Sequence, residues 1–526
     1  MATPELTLVL SGHLRRPNSA DLRPFWQGFI ELQKRLPKNK PVRQIVAHSW
    51  NPELGPLADF VYKPIARTHE HQKLFYPEFL NLIEPPDLFE RGLDRSKSTW
   101  KNVSIQSILG NVKSRAWAIK LLGKLPSSGG QVLITRWDLG QTGSKQVNQL
   151  VADASLPENY LYLSYFSEVD EGYADMWILA PWADACRFSS LDIFVLDALA
   201  GKNNYLELFL RRGWPRARVK THFEELLNFP IWHHFRKLTT KLIQGLQQRI
   251  EKGSVLQKRI ARFLIKIVHR FLFRPPITAE NSCVPRHEVC PPIYPSFQAL
   301  NIHALLKYFI LSEGLRDRVR FLTNEDFNIV AQSGQLINPQ AIVLFLHVAE
   351  ASQIENLLAQ SPLPLDAVYV MDSQVVYQHI FDDQQGWSIV ELCSAGESPR
   401  DLMILAFETE HRRNQKPIPV LVMPSIERYL GCSDWSYMNA LVKYIAWSQI
   451  DYVGLETSRQ GKQYLDFPGL QLVKSGGVLS LNLAAGTLGG IRTFLDIADP
   501  DLKEISKRAN RMQLEFPVVV NEVALF

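Results

Sequence analysis

Arg136 and Asp138 flank a single tryptophan at the carboxyl end of a short apolar run, Val132–Thr135, that reads as a buried strand. A carboxylate at such a strand end can hold a divalent cation, and an arginine can hold a phosphate through a bidentate fork. Two earlier strand ends offer compatible groups. Gly12 and Arg15 follow the run Glu5–Leu10, and His48 and Trp50 follow Val42–Ala47. In an open parallel sheet these positions share one edge, where ligands bind. Gly12 permits close backbone approach to a ligand. Arg15 and Arg136 could grip a diphosphate, and Asp138 could coordinate Mg2+ or Mn2+ between protein and ligand. Taken together these residues point to a phosphorylated, nucleotide-bearing ligand. Downstream, Glu168 to Trp177 is acidic and aromatic. A carboxylate there can serve as general base for an attacking hydroxyl, and Asp175, beside Met176 and Trp177, is the candidate. The plainer alternative for each residue is a strand-end salt bridge or a solvated acidic loop.

The elements that must position these groups alternate. Helical patterns are expected at about Leu22–Arg35, with Asp21 and Pro24 as start signals, and at Ser104–Leu122. Asp59–Tyr62 is expected as a third strand, and further apolar segments fall at 160–166 and 176–180. Strands alternating with helices predict a parallel α/β sheet. Beyond 296, strand-like runs at Val319–Leu322, Ala341–His347, Ala367–Met371, Pro419–Met423 and Tyr452–Leu455 alternate with helical runs at Leu300–Ser312, Pro399–Arg412 and Trp435–Trp447. They predict a second α/β domain of Rossmann-like layering. Glycines at 476–477 and 486–490 match no phosphate-binding motif and read as turns.

The chain has 526 residues, enough for two or more domains, with 46% hydrophobic and 21% charged residues, as in ordinary globular proteins. No uninterrupted apolar run is long enough to span a membrane, and the N-terminus lacks the pattern of a signal peptide. Five sparse cysteines suit a reducing compartment, and Cys283, His287 and Cys290 match no zinc spacing and read as loop residues. The expected location is cytoplasmic.

Net charge is only +5, yet residues 211–274 hold 16 Lys/Arg against 3 Asp/Glu. Within that segment, residues 255–272 place Leu256, Ile260, Phe263, Leu264, Ile267, Val268 and Phe271 on one helical face and six basic side chains on the other. That face suits an anionic membrane surface. The alternatives are a helix packed on its own domain, or a protein or nucleic-acid partner; nucleic acid lacks any accompanying module. The expected organisation is therefore 1–210, a basic segment 211–274, a proline-rich linker 275–295, and a second domain 296–526.

Four motifs in order carry a resemblance: LVLSGHLR at the start, VAHSW, LITRWDL, and GYADMW. Together they resemble bacterial surface-polysaccharide glycosyltransferase-like proteins over about residues 5–200. The resemblance implies a GT-A-like nucleotide-sugar-binding domain, with Arg115 on the helix before the strand and Arg136 and Asp138 in the place of the metal-binding acidic motif. One carboxylate stands there where two are usual. It further implies transfer of a sugar from a nucleotide donor to a cell-surface or lipid-linked glycan. Arg136 would stabilise the departing diphosphate and Asp175 would accept a proton. Gly12, Arg15, His48 and Arg115 would bind the donor, and Asp138 would bind the metal. The rival reading is a non-catalytic glycan- or nucleotide-binding module recruited to a membrane surface.

Overall fold

In the computed structural model the described residues are, apart from isolated positions, 5–15, 19–36, 41–75, 105–139, 156–164, 173–199, 302–322, 336–348, 351–371, 376–382, 386–391, 399–413, 418–432, 435–448, 453–457, 471–474, 477–487 and 515–517. They form two α/β units. In the first, β1 (Leu6–Ser11), β2 (Val42–Ser49), β3 (Ala66–His69), β4 (Gln131–Arg136), β5 (Leu161–Ser164), β6 (Trp177–Pro181) and β7 (Val319–Leu322) make a sheet of order β3-β2-β1-β4-β6-β5-β7. β1, β2, β3 and β4 run parallel, and β6 is antiparallel to β4 and β5.

β1 shows why the sheet is covered on both faces. Leu6, Leu8 and Leu10 enter one core with α1 (Arg23–Arg35) and α2 (Gly55–Tyr62), while Val9 enters another with α3 (Ile105–Leu122). The period-2 alternation of a strand makes both faces apolar, which is the layering of a doubly wound sheet. α1 starts as its sequence signals indicate: Asp21 accepts the Arg23 N–H at 3.0 Å, and Pro24 sits in the first turn.

Three expectations are corrected. Residues 59–62 are helical, inside α2, and the third strand is Ala66–His69; the apolar stretch was too short to separate strand from buried helix. Residues 477–487 form the strand β15 (Gly477–Thr487), so Gly486 and Thr487 lie in a sheet and not in a turn. The boundary at 275–295 does not divide the sheets. α6 (Ile302–Ser312) packs Leu305, Leu306, Phe309 and Ile310 into the α3 core, where Phe309 meets Phe194 of α5 (Leu191–Leu199), and β7 pairs in parallel with β5. Arg318 seals this addition on the buried Asp184 at 2.7 Å, at the start of the helix α4 (Trp182–Arg187). Domain membership follows backbone pairing and apolar burial, which proline density does not report. Cys283, His287 and Cys290, read as loop residues, and most of residues 211–274 lie outside the described residues.

The second sheet runs β11 (Gly386–Glu391), β10 (Val376–Asp382), β9 (Leu365–Met371), β8 (Ile342–Val348), β12 (Pro419–Ser425), β15, β13 (Val453–Thr457), with β14 (Gln471–Lys474) on β15. β9, β8 and β12 are parallel and the rest antiparallel. It is a mixed α/β sheet, flanked by α7 (Ala351–Gln360), α8 (Pro399–Arg413), α9 (Ile426–Leu430) and α10 (Trp435–Ser448).

α10 joins the two units. Its Asn439 Nδ2 donates to Gln33 Oε1 at 2.8 Å, and Gln33 Nε2 donates to the Ser436 carbonyl at 3.3 Å. Lys443 Nζ donates to the Val61 carbonyl at 3.0 Å, and the Trp26 and Tyr444 rings meet edge to face.

Candidate functional site

β1, β2 and β4 end side by side, and the strand order reverses between β1 and β4, since β2 and β3 continue on one side and β6 on the other. Ser11 pairs with Arg136 in the ladder, so Gly12 and Trp137 leave the sheet as neighbours. Such reversal points form the crevice where open α/β sheets bind ligands. Trp137 closes the floor of it. Its N–H donates to the Ser11 carbonyl at 3.3 Å and its indole Nε1 to the His48 carbonyl at 2.9 Å, so one residue ties three strand ends together. α1 approaches this segment so closely that a Cβ on Gly28 would stand 1.9 Å from the Trp137 carbonyl oxygen.

Arg136 and Asp138 pair with each other. Arg136 Nε and Nη2 donate to the two Asp138 oxygens at 2.8 and 2.7 Å. Arg136 Nη1 also lies 3.6 Å from Asp175 Oδ2. Asp175 lies two residues before β6, and β6 is antiparallel to β4, so its starting end lies beside the finishing end of β4. Asp175 in turn accepts from Asn111 Nδ2 at 3.2 Å, lies 3.9 Å from Arg115 Nη2, and gives its backbone carbonyl to Arg115. Burial by itself would lower the Arg136 pKa, but Asp138 and Asp175 outweigh it and raise it. Arg115 goes the other way, down to about 10, because burial and the neighbouring Arg136 exceed the help from Asp175. Both guanidiniums are charged at neutral pH.

The β1 turn is held from the other side. Gly12 has φ +107°, a conformation that strains any L side chain, and a Cβ there would meet nothing within 4 Å. Its N–H donates to Ser114 Oγ at 2.7 Å. Ser114 Oγ lies 2.8 Å from His48 Nδ1, and His48 Nε2 lies 3.0 Å from Glu70 Oε1. Burial lowers the His48 pKa despite Glu70, so the ring is neutral at neutral pH. One proton arrangement satisfies the whole relay: Nε2–H donates to Glu70, the Ser114 hydroxyl donates to Nδ1, and Ser114 accepts from Gly12. His48 thus reaches the crevice through Ser114 and the backbone. Ser114→Ala removes one buried donor and one acceptor. It is expected to lower stability by about 1–3 kcal/mol, read as a fall in the thermal midpoint; an unchanged midpoint would show the relay to be idle.

Of the residues expected at the site, Gly12, His48, Arg115, Arg136, Asp138 and Asp175 fall within this one network. Arg15 does not: its guanidinium pairs with Glu53 at 3.0 Å, while Asn51 Oδ1 accepts the Leu14 and Arg15 N–H groups at 2.9 and 3.4 Å. Sequence reasoning missed Asn51, Ser114, Glu70, Asn111 and His13. The single signal for His13 was its place directly after Gly12. The ring of His13 sits among Gln72, Asn51, Asp138 and Arg136, and burial lowers its pKa.

Both Asp138 oxygens already accept from Arg136, and the described residues hold no cluster of three His, Cys, Asp or Glu that could bind a metal ion. Among the described residues no helix is long and apolar enough to cross a membrane.

No family model matches the chain, and no curated protein matches it. Among solved structures, the chain is similar to mouse xyloside xylosyltransferase 1 in its apo form, at 10% identity and a TM-score of 0.21, over 38% of this chain and 74% of that one. A likeness this slight establishes no family.

Proposed function

We propose that the carboxyl edge of the first sheet binds a nucleotide-sugar donor, and that the protein transfers the sugar to a cell-surface or lipid-linked glycan. The observation that carries this reading is the convergence of Gly12, Arg136, Asp138 and Asp175 at the point where the strand order reverses. Gly12 leaves open space beside the turn, and Arg136 supplies a positive charge near it that is 26% exposed. In this reading Arg136, aimed by two carboxylates, stabilises the negative charge that develops on the departing diphosphate. Asp175 serves better as a positioning residue than as the proton acceptor. Its carboxylate is buried and already engaged by two guanidiniums and an amide, which hold it against the protein.

The test is calorimetric titration of a panel of nucleotide sugars into the full chain, with Asp138→Ala alongside. Wild type is expected to bind at least one donor and Asp138→Ala to bind it at least tenfold more weakly, because Arg136 loses its fork. Absence of binding by every donor ends the proposal. The rival reading, a non-catalytic binding module, gains support from the mutual engagement of Arg136 and Asp138; it predicts binding without sugar transfer or donor hydrolysis.

The basic segment fits the same reading as a membrane contact that brings the enzyme to lipid-linked acceptors. Ile260 and Leu264, one helical turn apart, are 50% and 40% exposed, and basic residues at 258, 259, 262, 266 and 270 surround them in sequence. The full chain is expected to co-sediment with phosphatidylglycerol vesicles in a salt-sensitive way, and Ile260→Asp with Leu264→Asp to abolish it. Equal binding to neutral vesicles would contradict the electrostatic part.

A further inference from the structure

The chain leaves β3, the outer strand of the first sheet, and turns back across the neighbouring strand ends. The Glu70 N–H donates to the Ser49 carbonyl at 3.0 Å, and Glu70 Oε1 lies 3.0 Å from His48 Nε2 near the end of β2. Two residues on, Gln72 is within hydrogen-bonding reach of the His13 ring in the β1 turn. Gln72 Nε2 also rests on bare helix backbone, 1.9 Å from where a Cβ on Gly110 of α3 would stand. Phe75 then meets the Trp50 ring at 5.5 Å and lies under the Lys113 ammonium, 4.2 Å from its centroid. In the order β3-β2-β1 the contacts of Glu70 and Gln72 step sideways from one strand end to the next, toward the point where the order reverses.

Residues 70–73 have the build of a strap. They belong to no helix or strand, and their burial alternates: Glu70 and Gln72 are half-buried, while His71 and Lys73 are exposed. That is the pattern of an extended chain with one side against the protein. The strap is fastened by polar contacts at Glu70 and Gln72 and by the ring of Phe75, which is 2% exposed. A segment that buries so little apolar surface opens at lower cost than the sheet beneath it. Beside Gln72 lies His13, which directly follows Gly12 and whose ring feels the charges of Asp138 and Arg136. The Nδ1 of His13 is closed to solvent.

We propose that residues 70–73, anchored at Phe75, form an autoinhibitory strap on the β2 side of the crevice: fastened to His48 and His13 it screens the His13 ring, and ligand fills the crevice only when it lifts. The proposal concerns regulation of the site described above, and it rests on the transferase reading for the identity of the ligand. When only open molecules bind, the apparent dissociation constant is the intrinsic one divided by the open fraction, so loosening the strap tightens binding. A segment that completed the site would weaken binding when loosened.

The test uses the full chain and the double variant Glu70→Ala with Gln72→Ala. The probe is diethyl pyrocarbonate, which acylates neutral imidazole, with each histidine followed by peptide mass spectrometry. The variant is expected to raise the rate at His13 roughly fivefold or more. His379, 4% exposed in the second unit, should keep its rate and so report an intact fold. Calorimetry with nucleotide sugars is expected to show any donor that wild type binds held roughly fivefold tighter by the variant. An unchanged His13 rate overturns the proposal, and so does donor binding that is unchanged or weaker. If the double variant fails to fold, Gln72→Ala alone decides by the same two readings. A raised His13 rate with no donor bound by either protein would keep the strap as a screen over His13 and end the transferase reading.

Discussion

Asp175→Ala is expected to destabilise the first unit by about 3–5 kcal/mol, because it strips a buried carboxylate from two guanidiniums. Arg115, with a side chain only 1% exposed, would keep its charge with only the backbone carbonyl of residue 175 to accept from it among the described residues. Asn111 would lose its acceptor as well. For a unit of this size the thermal midpoint should fall by roughly 10 °C. Asp175→Asn preserves the volume and one acceptor oxygen and should fall less. The comparison separates two roles. A free catalytic base could be removed with little loss of stability; a charge clamp cannot. A midpoint within about 2 °C of wild type for Asp175→Ala would refute the clamp.

The second large effect lies at the contact between the two units. Lys443 on α10 is 1% exposed and its ammonium faces the Val61 carbonyl. Burial, reinforced by the charge of Lys63, lowers its pKa to about 7, against about 10.5 for a free lysine. The sign follows from proton counting. Between about pH 7 and pH 10.5 the unfolded chain binds more protons at this position than the folded one, so stability rises with pH across that window. Below about pH 7 the full penalty, on the order of 3–5 kcal/mol, is present. Lys443→Met is therefore expected to raise the thermal midpoint at pH 6.5 and to flatten its rise toward pH 9.5. The hydrogen bond to Val61 is lost in the exchange, which trims the gain by about 1 kcal/mol. A variant that keeps the wild-type pH slope would show that Lys443 is not the group responsible.

Much of the first unit was legible in the residues. The apolar, β-branched runs at 6–10, 42–47 and 132–135 had the right length and neighbours for buried strands, the helix at 23–35 carried start signals, and the helix at 105–122 carried a 3.6-residue pattern. Residues 59–62 were misassigned, since four apolar-rich residues satisfy either period. The boundary of the first unit was also hidden: β7 joins from 319–322, well past the prolines, through hydrogen bonds that leave no local trace.

The sequence by itself determined the α/β class, the alternation of strands and helices, and the placing of Gly12, His48, Arg136 and Asp138 at strand ends, because period and turn chemistry are local properties. Which strand ends would be neighbours, and what each side chain would then do, only the tertiary structure decided. Strand order is set by pairing across more than 100 residues, as when Ser11 meets Arg136. That pairing turned Arg136 and Asp138 into a mutual fork, sent Arg15 to Glu53, and made Asp175 a clamp on two arginines. It also left buried polar atoms of His13, Asn111 and Arg115 without a hydrogen-bond partner among the described residues. Charges and hydrogen bonds act over a few ångströms in space, and the spacing of residues along the chain does not fix those distances.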